Sequence, residues 1–510
     1  MTDAQNSSNM TNTLKWLITI TVMLAAMIEI IDTTIVNVVL HNMAGSLGAS
    51  TENITWVVTS YIVAAAIFMP LTGFLVDMFG RKKLLLINIM GFVIFSVLCG
   101  LSTSLTEMIA FRVLQGVFGA SLVPLSMYIL RDTFPPKEQV KAMAIWGIGI
   151  MAAPVLGPTL GGYIADHMNW RWIFYINVPV CIIAITMTYL YISETKVIKV
   201  KIDWTGLLLM STVIAALQIF LDRGNDDGWL QSNFILALLL IWVLGFLIFI
   251  YRGWNKKDNI INLKLFLDRD YSAANILMVL YTGGLFGILI LQPLLMEGFM
   301  NYSPKLTGLL MAPRGIAAAL AMVVVSPLSK KMDMRYLIAI GILLTAWGTY
   351  DFALINLQAG AWALVYPSII QGIGMGFFFV PISTIALQSL KQDQLAEASG
   401  LFSFSRGIGT SIGISVLVTI MTTQTQVMWH ALSSNISTMN PNYMTWLQNT
   451  HWPAKSPETI SQIGNIVYSQ ASMVGFSDAC YLGFWMLIIA LPFVFLLKKP
   501  ESGKDLVVGH

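Results

Sequence analysis

Charge is what this sequence has least of. Only 11% of its 510 residues are Asp, Glu, Lys or Arg, while 56% are hydrophobic; soluble globular chains carry about 25% charged residues. A chain so poor in charge cannot clothe its surface in polar groups, so lipid must be its solvent. Cysteine is scarcer still. Cys99, Cys181 and Cys480 lie far apart, within or beside apolar runs, which speaks against a disulfide framework or thiolate metal site and for small buried hydrophobes. The five histidines (41, 167, 430, 451 and 510) form no HExxH or similar group, and no nucleophile elbow occurs. That leaves a membrane-embedded lipid-modifying enzyme as the remotest of the functional alternatives, and the chain is not expected to be an enzyme. No sizeable soluble domain is present to serve a sensor, and a formal net charge of +3 gives no reason to expect nucleic acid as a partner.

Long apolar runs are what is there. Windows of about twenty residues begin near Lys15, Ile54, Leu84, Glu107, Lys141, Trp172, Asp203 and Asn233, then near Ser272, Leu306, Tyr336, Trp362, Glu397 and Gly475. The polar start before Lys15 leads into a run too long for a signal peptide, so a retained first span is expected. With both termini placed in the cytoplasm, only Arg171, Arg223, Lys305 and Lys455 fall in outer loops, and Arg112, Arg314 and Arg406 lie at membrane depth. Every other Lys and Arg falls inside, including Lys196, Lys199, Lys201, Lys256, Lys257, Lys499 and Lys504. Adding or dropping a span would spoil this alternation. The reading is an all-α polytopic membrane protein with fourteen spans.

The chain also repeats itself. Pro70 and Asp77 are echoed by Pro327 and Asp333, Gln115-Gly116 by Gln371-Gly372, and Pro124-Leu125-Ser126 by Pro381-Ile382-Ser383. Ala142 and Gly157 likewise match Ala398 and Gly413, all at offsets of 256 or 257 residues. Duplicated halves are a transporter hallmark. The offset divides the chain into a six-helix bundle over 1–195, two inserted helices with an interfacial linker over 196–271, and a second six-helix bundle over 272–510 with a long outer loop at about 422–473. The linker part Trp254–Tyr271 mixes charges with Ile, Leu and Phe, as an interfacial element does.

Within this frame the stretch Met23–His41 carries Glu29 and Asp32 three residues apart, on roughly one face of a helix. Ionisable groups at membrane depth are expensive and mark ion or substrate paths. Arg112, in Arg112-Val-Leu-Gln115-Gly116, has the same cost and needs a carboxylate or backbone partner; Asp32 lies at a similar depth. Asp351, Arg314 and Arg406 are either bundle-facing charges that bind or gate, or structural pairs. Asn37, Gln115 and Gln371 are either polar contacts in a central cavity or interhelical hydrogen bonds. His41 is read as a solvated rim group ahead of a proton relay.

Several motifs are more specific. Gly73-Phe-Leu-Val-Asp77-Met-Phe-Gly80-Arg81-Lys82 lies on the loop between spans two and three. Ala153-Pro154-Val-Leu-Gly157-Pro158-Thr-Leu-Gly161-Gly162 puts two helix-breaking prolines and close-packing glycines in span five. Asp32-Thr-Thr-Ile-Val-Asn37-Val-Val-Leu40 opens the first span's outer half; Trp170-Arg171-Trp172 to Asn177-Val-Pro179 and Leu221-Asp222-Arg223-Gly224 follow. Together these resemble the EmrB-type, fourteen-span branch of the drug:H+ antiporters in the major facilitator superfamily, over nearly the whole chain.

The resemblance implies a major facilitator fold in the cell inner membrane and alternating-access export of lipophilic toxic compounds. The drive is the proton gradient, without a cofactor. It implies proton coupling through Asp32 and Arg112, whereas Glu29 stands outside the family motif and rests on depth alone. It also implies a latch at Gly73, Asp77, Gly80, Arg81 and Lys82, and export direction set by Pro154, Gly157, Pro158, Gly161 and Gly162. The family usually ends the first-span motif with proline, where this chain has His41. Its partners are a periplasmic membrane-fusion adaptor (EmrA-like) and a TolC-like outer-membrane channel. The outer loop, with Trp429, Tyr443, Trp446, Trp452 and Tyr468, is the expected adaptor site or else a folded cap. Export of one physiological solute, such as a fatty acid, bile salt or siderophore, is the nearer alternative.

Overall fold

The computed structural model describes residues 11–195, 197–198, 203–255, 260–436, 440–450 and 456–498. The expectations for Lys196, Lys199, Lys201, Lys256, Lys257, Trp452, Lys455, Lys499 and Lys504 concern residues outside that set. Among the described residues every regular element is helical, and fourteen helices are long and apolar enough to cross a membrane. They are α1 (Asn12–Leu40), α2 (Trp56–Phe79), α3 (Arg81–Leu101), α4 (Leu105–Thr133), α5 (Glu138–Ile164), α6 (Trp172–Tyr191), α7 (Trp204–Arg223) and α8 (Asn233–Trp254). Then follow α9 (Arg269–Phe299), α10 (Lys305–Leu328), α11 (Met334–Ala353), α12 (Ala361–Gln388), α13 (Gln392–Ser433) and α14 (Pro457–Val494). In lipid a helix is the open-chain form that pairs all its backbone groups internally, so apolar runs of this length have little other choice.

The repeat seen in sequence is a repeat of packing. α1 lies against α5 and α6, α2 against α4, and α3 against α4 and α6. In the second half α9 lies against α13 and α14, α10 against α12, and α11 against α12 and α14, the same scheme. Between these two six-helix bundles come α7 and α8. Only 11% of the apolar window of α8 is buried, so lipid surrounds it on nearly every side. It is tied to α7 by Arg252, which donates to both oxygens of Asp203 at 2.7 Å. α7 touches both bundles: Gln218 donates to Ser411 of α13 at 2.7 Å, and Asp222 accepts from Thr59 of α2.

Two expectations are revised and one is kept. The outer loop at about 422–473 is largely helix: α13 runs on to Ser433, and α14 starts at Pro457, as the cap pattern Ser456-Pro457-Glu458 predicts from the sequence. Hydropathy falls in these stretches, yet no proline interrupts them, so the apolar window ends before the helix does. Ser456 caps α14, accepting from the Thr459 amide at 3.1 Å with Pro457 in the first turn. At 42 and 38 residues, α13 and α14 are each about 60 Å long against a hydrocarbon core of about 30 Å. Their tops therefore stand clear of the bilayer, with a short helix Pro441–Thr450 between them. Second, the helix of α5 runs unbroken across Pro154 and Pro158; each proline removes one ladder bond without ending the helix. Third, the segment before α9 is not simply laid on the surface. Ile260, Ile261 and Leu265 are buried and the Asn262 amide donates to Glu397, although Leu267 stays 66% exposed.

Candidate functional site

Asp32 of α1 is completely buried, and so, at 1% exposure, is Arg112 of α4. Arg112 Nη1 donates to Asp32 Oδ2 at 2.5 Å and to Gln115 Oε1 at 2.9 Å, while its Nε donates to the Val57 carbonyl at 3.1 Å. The guanidinium also lies over the Tyr61 ring, 4.2 Å from its centroid. The other carboxylate oxygen, Asp32 Oδ1, accepts from Gln115 Nε2 at 3.0 Å and from Asn177 Nδ2 at 2.9 Å. Asn177 also donates to Ser96 Oγ at 3.0 Å, and Ser96 Oγ donates in turn to the Phe174 carbonyl at 2.9 Å. Helices α4 and α6 thus supply every donor to the carboxylate of α1, α2 and α3 hold those donors in place, and every donor in the cage suits an anion. Sequence reasoning paired Asp32 with Arg112 by depth. It quoted Asn177 within a motif and gave it no role, and it missed Ser96; an amide in the apolar run of α6 was the available signal.

The glycines of α5 make this cage possible. A Cβ at Gly157 would overlap Thr34 Oγ1, and one at Gly161 would meet Ile35 Cγ1 at 3.0 Å, so α5 is pressed against α1 beside Asp32. Pro154 and Gly162 lie on the same helix; for Pro158 and His41 the side chains are outside the described set.

One helical turn before Asp32, Glu29 is 93% buried and its Oε2 has no hydrogen-bond partner. The cation whose charge acts on it is Arg406 of α13, from the opposite bundle. Arg406 lines a cavity of about 450 Å³ between the bundles, together with Met127, Trp146, Met151, Met278 and Phe379. A second cavity of about 510 Å³ shares Met151 and reaches Arg314. Of the remaining predicted cavity residues, Gln115 belongs to the Asp32 cage. Gln371 donates to Thr349 at 2.9 Å between α11 and α12, and Asn37 turns back to the Thr33 carbonyl at 3.2 Å on its own helix. Asp351 sits near the end of α11 with Oδ2 unpartnered. None of these four lines either cavity.

The loop motif lies on the face that carries the basic loops. Gly80 has φ +80°, a backbone that excludes most side chains, and a Cβ there would strike Glu194. The Glu194 carboxylate accepts from the Lys82 and Lys83 amides, both at 3.1 Å, capping α3 at its positive end. Arg81 donates to the Ser193 carbonyl at 2.9 Å and pairs with Asp132, while Lys82 Nζ donates to the Tyr189 carbonyl at 2.7 Å. These bonds stay within the first bundle. The contact across bundles is made by neighbours: Asp132 accepts from Gln392, and Arg131 donates to the Leu387 carbonyl at 3.2 Å. Gly73 is pressed against the Glu397 backbone, and Asp77 lies within reach of the Asp393 charge. On this face the halves are closed together.

Two pseudo-repeated helical bundles enclosing a mostly apolar cavity, with charges buried at membrane depth, define a membrane transporter. The model of the Major Facilitator Superfamily matches residues 22–414. The chain is 34% identical over 494 residues to the fatty acid resistance protein FarB of Neisseria gonorrhoeae, covering 96% of each chain. It is 33% identical over 492 residues to the multidrug export protein EmrB of Escherichia coli K12, covering 95% of each. The solved proton:xylose symporter XylE superposes with a TM-score of 0.60 at 13% identity, over 94% of this chain and 96% of that one. The chain belongs to the major facilitator superfamily and is a multi-pass inner-membrane protein.

Proposed function

We propose that this transporter is a proton-coupled antiporter that exports lipophilic toxic compounds by alternating access. One observation carries the reading: a fully caged Asp32–Arg112 ion pair lies one turn from Glu29, a buried carboxyl group with an unpartnered oxygen. Two acidic groups in opposite states of satisfaction, one turn apart on one helix, are what a proton exchange needs. The donors around Asp32 suit an anion, whereas the unpartnered oxygen of Glu29 leaves that group suited to hold a proton. Separation of α1 from α4 would expose the Asp32 cage and exchange these states, and a substrate that binds the two conformations unequally would couple its movement to the proton's.

The basic face is taken as cytoplasmic, so the closed face is the inner one. The printed functions of EmrB and FarB support export, FarB favouring the second reading of a dedicated exporter for one solute class. The tops of α13 and α14 and the helix Pro441–Thr450 form a projection suited to an adaptor, as in a tripartite pump with an EmrA-like protein and a TolC-like channel.

The test uses inverted vesicles with an imposed pH gradient and a panel of lipophilic dyes, recording proton release on substrate addition. Release is expected for wild type and its loss for Glu29→Gln and for Asp32→Asn. Normal release in both variants, or none in wild type across the panel, refutes proton antiport.

A further inference from the structure

Three arginines lie at membrane depth, and two of them have an acid. Arg112 is paired with Asp32, and Arg406 is within reach of the Glu29 carboxyl group. Arg314 has none: no carboxylate among the described residues acts on it. It is 97% buried, and about 14 Å along α10 from Lys305, where that helix begins, too deep for the side chain to reach water. Its Nη2 donates to two neutral acceptors, Gln292 Oε1 and, at 3.2 Å, Ser368 Oγ, whereas Nε and Nη1 have no acceptor. Three of the five guanidinium N–H bonds are therefore unused. The backbone is held too: a Cβ at Gly372 would overlap the Arg314 carbonyl, so α12 is clamped on α10 at this level.

A lone cation in such surroundings is expensive. Water answers its N–H groups and leaves the charge; an anion answers both. The second cavity limits which anion. Arg314 is the one charged residue among those that line it, and the rest of the wall, with Met151, Pro154, Phe286, Leu289 and Met375, is apolar. Most of its volume is crevice too narrow for a guest, and what is open takes a few water-sized particles and no organic body. Phosphate or sulfate would bring several oxygens that need donors, and the apolar wall has none to give. A halide is spherical, carries one charge and is content with the donors of a single guanidinium. Met151 and Pro154 come from α5 of the first bundle and the others from α9 and α12 of the second, so the ion would sit in the seam between the halves.

We propose that Arg314 holds a chloride-sized monovalent anion in this seam, as the counter-ion that its own bundle does not supply. The ion is a resident part of the fold and not cargo. The site stands apart from the proton-exchange reading, because neither Asp32 nor Glu29 takes part in it.

The test is the line width of the chloride NMR signal over the purified full chain in detergent, with gluconate as the other anion and protein-free detergent subtracted. Chloride exchanging with a protein site broadens the signal, and bromide should release that broadening in wild type. In Arg314→Gln the bromide-released part should fall at least twofold. Equal broadening in the two proteins, or none in wild type, overturns the site. Thermal unfolding gives a second readout. At chloride ten times the binding midpoint the folded wild type is favoured about elevenfold over its state in gluconate. Arg314→Gln should lack this gain and, with its lone charge gone, be at least as stable as wild type in gluconate; an equal gain in the variant overturns the site. Should Arg314→Gln not fold, wild type alone decides: sulfate at equal ionic strength must leave the broadening in place while bromide releases it, and release by both marks surface charge and overturns the site. No drug or proton gradient enters either measurement, so failure of antiport leaves this result untouched.

Discussion

Replacing Asp32 by asparagine is the perturbation whose cost can be worked from the cage itself. The change keeps the shape and removes the charge, leaving the Arg112 guanidinium at 1% exposure with no anion. Breaking a buried ion pair from one side costs about 3–5 kcal/mol. The Val57 and Gln115 oxygens and the Tyr61 ring still face the cation, which places the expected loss near the lower end, about 3 kcal/mol. The new amide also brings N–H donors toward the donors of Gln115 and Asn177. Removing the orphaned charge should repair the damage, so the double variant Asp32→Asn/Arg112→Gln should be more stable than Asp32→Asn alone. Both would lack proton release, which separates the structural part of the pair from its coupling part. The assay is thermal unfolding of the purified protein in detergent, read by intrinsic tryptophan fluorescence, as a double-mutant cycle with Arg112→Gln. Wild-type stability in Asp32→Asn, or a double variant weaker than the single one, would refute the account of the cage.

Two other perturbations test the bundle contact and the projection. A side chain at Gly73 meets the Glu397 backbone, so Gly73→Val should force α2 from α13 and raise the labelling of a cysteine introduced at Gln392 several-fold; unchanged labelling would show that this contact does not seal the face. Replacing 434–456 by a short Gly-Ser linker should abolish cross-linking to a membrane-fusion adaptor while leaving dye-induced proton release in vesicles intact, and undiminished cross-linking would remove the adaptor site.

The sequence by itself determined the number of spans, the duplicated halves and the identity of the buried charges. Transfer from water to lipid is a cost paid residue by residue, so a string of side chains is enough to read it. Asp32 and Arg112 were legible as partners for the same reason, since neither tolerates that depth alone. Which helices face one another was not legible. Gln371, Asn37 and Gln115 have the same polarity in sequence, but one bonds across α11 and α12, one folds back on its helix and one completes the cage. Asn177 joined Asp32, and Arg314 was left short of acceptors, through packing between segments far apart in the chain. The extent of α13 beyond its apolar window was likewise hidden, because helix continuation depends on the backbone and its caps while hydropathy records only the solvent; the start of α14 was legible from its Ser456-Pro457 cap. Tertiary structure decided these matters because a hydrogen bond requires direction and proximity, and neither is written in the local sequence.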